Sequence, residues 1–199
     1  MNWGAIKIAT LQKMFVSTAT TLVENTTTLP YLNSMPHVAN EGLQLLSTAG
    51  KYIIKSHKIT QDGTNTGLAQ KYDFQTLVSD FHSFRDVYLD DGEEYRSTSL
   101  YQTEGDGVFV LPSEAIGTWT VYYNSYPQQI TSATTDATEL ALDPEVAVLL
   151  PLYMASELYL EDDSALATSW RNKFEVAFGK LKSNVSQATV EFVSEFEGW

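Results

Sequence analysis

Residues 142–181 read LDPEVAVLLPLYMASELYLEDDSALATSWRNKFEVAFGKL, and the way this stretch folds decides the rest. Asp143 precedes Pro144, an N-cap residue before a proline at the first helical position, where the missing N–H costs nothing. A helix is predicted to start there. Val146, Leu149, Leu150, Leu152, Tyr153, Met154, Leu158 and Tyr159 cover nearly every face of it, which suits an element enclosed by others. Pro151 is expected to kink it. Glu161, Asp162, Asp163 and Ser164 then supply a break and acidic groups for the positive end of a second helix, with Lys180 and Lys182 at its negative end. Leu166, Trp170, Phe174, Ala177 and Leu181 form one stripe of that helix, opposite Thr168, Arg171, Asn172 and Glu175. The pair reads as an antiparallel hairpin.

Upstream, Ala5, Ile8, Leu11 and Phe15 fall on one face of a predicted helix over 3–15, with Lys7, Thr10 and Lys13 turned away. Residues 17–29 are Thr-rich and polar and read as a long loop, a kind of segment that often serves contacts. Leu32, Met35, Ala39, Leu43 and Leu46 mark a second helix, with Pro36 near its first turn and Gly50 as its C-terminal stop. From Lys51 the period falls to about 2, and strands are predicted at 51–60, 83–89, 95–103, 107–111 and 117–126. Trp119, Val121 and Tyr123 alternate there against Thr118, Thr120 and Tyr122, and Pro127 ends the run. Residues 128–141 form a polar connection back to the hairpin.

The fold class expected is therefore α+β: a four-helix core of two N-terminal and two C-terminal helices, an inserted small antiparallel β region, and a C-terminal tail. The divisions are 1–50, 51–141, 142–184 and 185–199. In the tail, Phe192, Phe196 and Trp199 have helical spacing, while Ala188, Val190 and Phe192 alternate as in a strand, and both forms stay open. Either presents large apolar groups, so the tail reads as a docking segment or as one that folds back on its own subunit.

Composition narrows function by exclusion. With 199 residues, 43% hydrophobic and 19% charged, the chain can bury a real core. A net charge of −13 argues against wrapping nucleic acid, which needs Lys and Arg in excess. The absence of cysteine removes disulfides, thiolate nucleophiles and Cys-bound zinc. No apolar run reaches the roughly 20 residues of a membrane span, and the lysine-bearing N-terminus is unlike a signal peptide, so synthesis in the cytoplasm is expected. Asn25 and Asn184 begin glycosylation triplets that matter only with secretion. No phosphate loop, dinucleotide fingerprint, HExxH or GxSxG occurs. His37, His57 and His82 fall in different elements, and Asp90, Asp91, Glu93 and Glu94 read as a solvated turn around Gly92 rather than a cation site. Neither catalytic residues nor cofactor or metal ligands are assigned.

The order of these elements, carried by MNWGAIKIATLQKMF, YLNSMPHVANEGLQLL, LVSDFHSFRDVYLDDG, GTWTVYYNSYPQQIT and the 142–178 hairpin, resembles the head-to-tail adaptor (connector) proteins of tailed bacteriophages over roughly residues 1–182. The resemblance implies a non-enzymatic virion protein that forms a ring, usually of twelve copies, beneath the portal in the neck. It implies a DNA channel through which the genome passes without specific binding, and a surface for a stopper or tail protein. C-terminal segments of such proteins reach along the portal or a neighbouring subunit, which would give Val190, Phe192, Val193, Phe196 and Trp199 their partner. Thr20, Leu22 and Val23 of the Thr-rich loop, with Asp90, Asp91 and Glu93 of the β region, would then make inter-subunit or tail-side contacts. The rival readings are an acidic carboxylate-dependent hydrolase and a monomeric binding module with an aromatic ligand site.

Overall fold

The structure, a computed structural model, describes residues 1–47, 53–64 and 68–188, with side chains of the last helix followed to Leu181. The expected stop at Gly50, the tail residues Val190, Phe192, Val193, Phe196 and Trp199, and with them the form of the tail, lie outside the described residues. The elements in order are α1 (Trp3–Lys13), α2 (Leu29–Ser47), β1 (Ile53–Gln61), β2 (Gln70–Asp73), α3 (Phe74–Leu77), β3 (Phe81–Asp90), β4 (Tyr95–Ser97), β5 (Gln102–Glu104), β6 (Val108–Leu111), β7 (Gly117–Ser125), α4 (Pro144–Leu158) and α5 (Ser164–Ala188). They divide into two compact units, Met1–Lys51 with Pro127–Trp199, and Tyr52–Tyr126.

The helical unit is built on α4. Asp143 caps it, its carboxylate accepting the Glu145 N–H at 3.0 Å. Val146, Leu149, Leu150, Tyr153, Met154 and Ala155 are all buried, leaving Val148 as the apolar exception at 65% exposure. Each fully buried side chain of this size contributes about 1.5–3 kcal/mol. α1, α2 and α5 pack chiefly on α4 rather than on one another. The expected four-helix core is thereby corrected: among the described residues there are five helices and seven strands, and the helices gather round one central helix instead of closing a clean four-helix bundle. The cause is the composition of α4, which has no polar face to turn outward.

The buried face of α1 also differs from the expected one. Trp3, Ile6, Thr10, Leu11 and Met14 are buried, whereas Phe15 is 72% exposed at the left-handed φ of 56°. Thr10 can go inside because its hydroxyl donates to the Ile6 carbonyl at 2.9 Å. The first N–H groups of α1 are satisfied from the connection: Trp3 donates to the Thr138 carbonyl and Gly4 to that of Asp136, both at 2.9 Å. A Cβ on Gly4 would lie 2.9 Å from that of Asp136, so the close approach requires glycine. Asn40 holds the other end of the connection, exchanging two 2.8 Å hydrogen bonds with the Ile130 backbone. α2 begins three residues earlier than the periodicity suggests, which places Pro36 inside the helix rather than near its first turn.

The β unit holds two antiparallel sheets, of order β1-β7-β3-β4 and β2-β6-β5. β7 is central, paired with β1 from Ile53↔Ser125 to Gln61↔Gly117, and with β3 through two register shifts. Ile59, Phe81, Val87, Leu89, Trp119, Val121 and Tyr123 of the first sheet share one core with Phe109 and Leu111 of the second. Phe74 sits at its middle, wholly buried, with the rings of Phe84, Phe81, His57, Phe109 and Tyr123 all within 6.2 Å. Two expectations fail here. β2 and α3 are not foreseen, and the predicted strand 95–103 is two strands, one in each sheet. Between them the Thr98 hydroxyl accepts the Leu100 N–H at 3.2 Å, a local turn that breaks the ladder.

Candidate interaction surfaces

The loop carrying Thr20, Leu22 and Val23 is folded on itself. Gln12 donates to the Ala19 carbonyl at 3.0 Å, and the buried Thr28 hydroxyl donates to that of Val23 at 2.7 Å. Asn25 Oδ1 accepts from the N–H groups of Thr27 and Thr28 at 2.9 and 3.0 Å, a cap that leads into α2. Within this frame Leu22 rests half-buried on the helical core, while Thr20 and Val23 face solvent. The two exposed side chains are held out by a fixed backbone rather than by a loose strap.

Asp90, Asp91 and Glu93 come together in the turn that joins β3 to β4, in the β unit. Asp90 Oδ1 accepts the Gly92 N–H at 3.1 Å, and Asp91 Oδ1 accepts those of Glu93 and Glu94, each at 3.0 Å. The Glu94 and Glu93 N–H groups hold the Asp91 carboxyl below the usual carboxylate range, and Arg96 approaches its other oxygen at 3.4 Å. These bonds stabilise the turn itself. Beside it Tyr88 stacks on Tyr95 with centroids 5.2 Å apart and meets Tyr122 edge-on at 5.7 Å. The three rings make an aromatic ladder on the sheet, and sequence reasoning did not find it because its members lie in three strands.

The histidines stay separate. His37 pairs with Glu41 at 3.2 Å, His57 meets the Phe74 ring, and His82 contacts Ser83 at 3.0 Å and the ring of Tyr126. Among the described residues no three His, Cys, Asp or Glu side chains are grouped closely enough to hold a metal ion. The acids at the α4–α5 junction have structural partners: Asp163 Oδ1 accepts the Leu166 N–H at 2.9 Å, and Asp162 accepts the Tyr31 phenol at 2.6 Å. That bond, ahead of burial, pushes the Tyr31 pKa up to about 12.

A further surface lies along α5. Its core side carries Ala167, Phe174, Phe178 and Leu181, broadly the stripe expected, and its outer side is a shallow trough of about 600 Å³. Thr168, Asn172, Val176 and Lys180 recur there every four residues, with Val176 62% exposed. At one side the Trp170 ring lies between two ammonium groups, Lys173 Nζ at 4.0 Å and Lys13 Nζ at 5.3 Å from its centroid. Burial and then the neighbouring Lys173 charge lower the Lys13 pKa. The spacing of Trp170 and Lys173 is visible in the sequence, but the arrival of Lys13 from the far end of the chain is not.

Among the described residues, no helix is long and apolar enough to cross a membrane. No curated protein matches the chain. A family model described as SU10 adaptor protein matches residues 1–193, spanning both compact units.

Proposed function

The chain belongs to the SU10 adaptor protein family, a phage head-to-tail adaptor family, and from that premise we propose that its copies close into a ring that docks on the portal, extends the DNA channel and receives the next neck or tail protein. Membership itself carries a structural rather than an enzymatic role, and a place in the virion. The single observation that carries the proposal is the reach of the match, which takes in the helical and the β unit together.

Surface chemistry supports it. Large apolar groups such as Val148, Leu160 and Val176 stay exposed, more than a solitary subunit needs. Thr20, Leu22 and Val23 form one lateral or tail-side contact, and Asp90, Asp91 and Glu93 a second. Val190, Phe192, Val193, Phe196 and Trp199 form a docking stripe for a partner chain. The net charge of −13 suits a channel through which DNA slides, because an acidic lumen repels phosphate where a basic one would trap it.

Light scattering on the purified chain, alone and titrated with portal protein, tests the reading. A ring or a portal complex is expected, and a persistent monomer indifferent to portal overturns it. An image of the particle neck with a lumen lined mainly by Lys and Arg overturns the account of the charge.

A further inference from the structure

Lys13 and Lys173 are placed where an isolated subunit gains little from them. The chain has 25 acidic and 12 basic side chains, and Lys7, Lys55, Lys71, Arg85, Arg96 and Arg171 each sit on a carboxylate. Lys13 and Lys173 instead flank Trp170 and, among the described residues, have no carboxylate within salt-bridge reach. Two like charges are thus held together, one of them partly buried, in a protein with a twofold excess of acid. Immediately beside them runs the α5 trough with its exposed Val176. An acidic segment that also carries apolar side chains would neutralise the first feature and cover the second.

The chain contains such a segment. Residues 189–199 read TVEFVSEFEGW, with Glu191, Glu195 and Glu197 set among Phe192, Phe196 and Trp199. We propose that this segment of one copy docks in the α5 trough of a second copy, its glutamates meeting Lys13 and Lys173 and its aromatic side chains covering Val176. The proposal rests on the ring reading above and names the partner of the tail within it.

Chain geometry selects a second copy over the same one. α5 continues from Lys173 to Ala188, about 22 Å at 1.5 Å per residue. A tail of 11 residues that reversed direction over about four of them would have about seven left, spanning at most about 25 Å when fully extended. It would reach Lys173 only with its last residues, and Glu191 would remain near the end of its own helix. A neighbouring tail can lie alongside the trough over its whole length. The contact is head-to-tail, one surface giving and a different one receiving, which is the type that repeats around a ring.

The absence of native cysteine makes the test direct. Full-length Val176→Cys and Phe192→Cys chains are mixed under mild oxidation, and a disulfide-linked pair joining the two different chains is expected. Adding Lys13→Glu and Lys173→Glu to the Val176→Cys chain should lower that product about tenfold, and Glu191→Lys with Glu195→Lys on the other chain should restore it, since like charges brought together are costly and opposite ones are not. The glutamate changes lie outside the helical core, so Glu191→Lys/Glu195→Lys against the unaltered lysines keeps the test valid if the lysine variant does not fold. Absence of the mixed pair overturns the inference. So does an internal disulfide in a monomeric chain carrying both cysteines, or a Phe192→Cys chain that cross-links only to portal. Portal binding and ring size, measured on the unaltered chain, report on the adaptor reading separately.

Discussion

The two compact units solve the problem of a core in opposite ways. The helical unit is organised by a long element, α4, which is apolar all round and takes α1, α2 and α5 onto its surface. The β unit is organised by a single side chain, Phe74, presented by a helix of four residues into a shell of rings from both sheets. A core built on a periodic element spreads its energy over many positions. One built on a keystone concentrates it.

The strongest break of this contrast is Phe74→Ala. It should destabilise the β unit by about 3–5 kcal/mol, as removal of a buried aromatic does. Urea unfolding followed by near-UV and far-UV circular dichroism should then show tertiary signal from the β unit lost while helical signal persists. A single coincident transition would mean that the units do not melt separately.

Next comes the surface of α4. A Cβ on Gly42 would lie 2.7 Å from Tyr153 Cδ1 and 2.8 Å from Leu150 Cδ1, so Gly42→Ala must push α2 away from α4. A cost of about 1–3 kcal/mol is expected from such overpacking, read as a lower urea midpoint of the helical signal. Asn40→Ala removes both bonds to Ile130 and leaves its backbone groups unpaired, costing about 1–3 kcal/mol on the same assay.

These predictions also show why the chain was readable in parts. Asp143-Pro144, the apolar run of α4 and the stripe on α5 are local signals that recur over several turns, and the structure keeps their positions. α3 has no such recurrence. Its only local mark is Asp73, whose carboxylate accepts the Gln75 N–H at 3.0 Å and the Thr76 hydroxyl at 2.9 Å, and a single cap without a following stripe is easily passed over. β4 and β5 misled in the other direction, because alternation along 95–103 says nothing about which sheet each half joins. The face of α1 was misread since Thr10 counts as polar until its hydroxyl is paired within its own helix. Of the candidate surfaces, the loop and the acidic turn were legible as segments, whereas the pairing of Lys13 with Lys173 depends on tertiary placement.

The smallest effect sharpens the comparison through two tyrosines. Both Tyr31 in the helical unit and Tyr123 in the β unit have pKa values pushed up to about 12. For Tyr31 the leading cause is the hydrogen bond to Asp162, and for Tyr123 it is burial, followed by the bond to Asp80. Asp162→Ala should therefore return one phenol toward the ordinary range in a 295 nm absorbance titration, whereas Asp80→Ala should leave Tyr123 raised. A folded-state pKa above the unfolded one means that each phenol's contribution to stability is complete below about pH 10 and is lost as pH rises toward 12. Tyr31→Phe should flatten that alkaline decline slightly.

The hydrogen bonds from Trp3 and Gly4 to Thr138 and Asp136 set a timetable for synthesis. Every strand pairing of the β unit closes within residues 53–125, so that unit can mature while the remainder is still being translated. The first helices cannot, since their seat on α4 emerges from the ribosome last. The oldest part of the nascent polypeptide is thus the part that must wait, with the apolar residues of α1 and α2 open to chaperones until α4 appears.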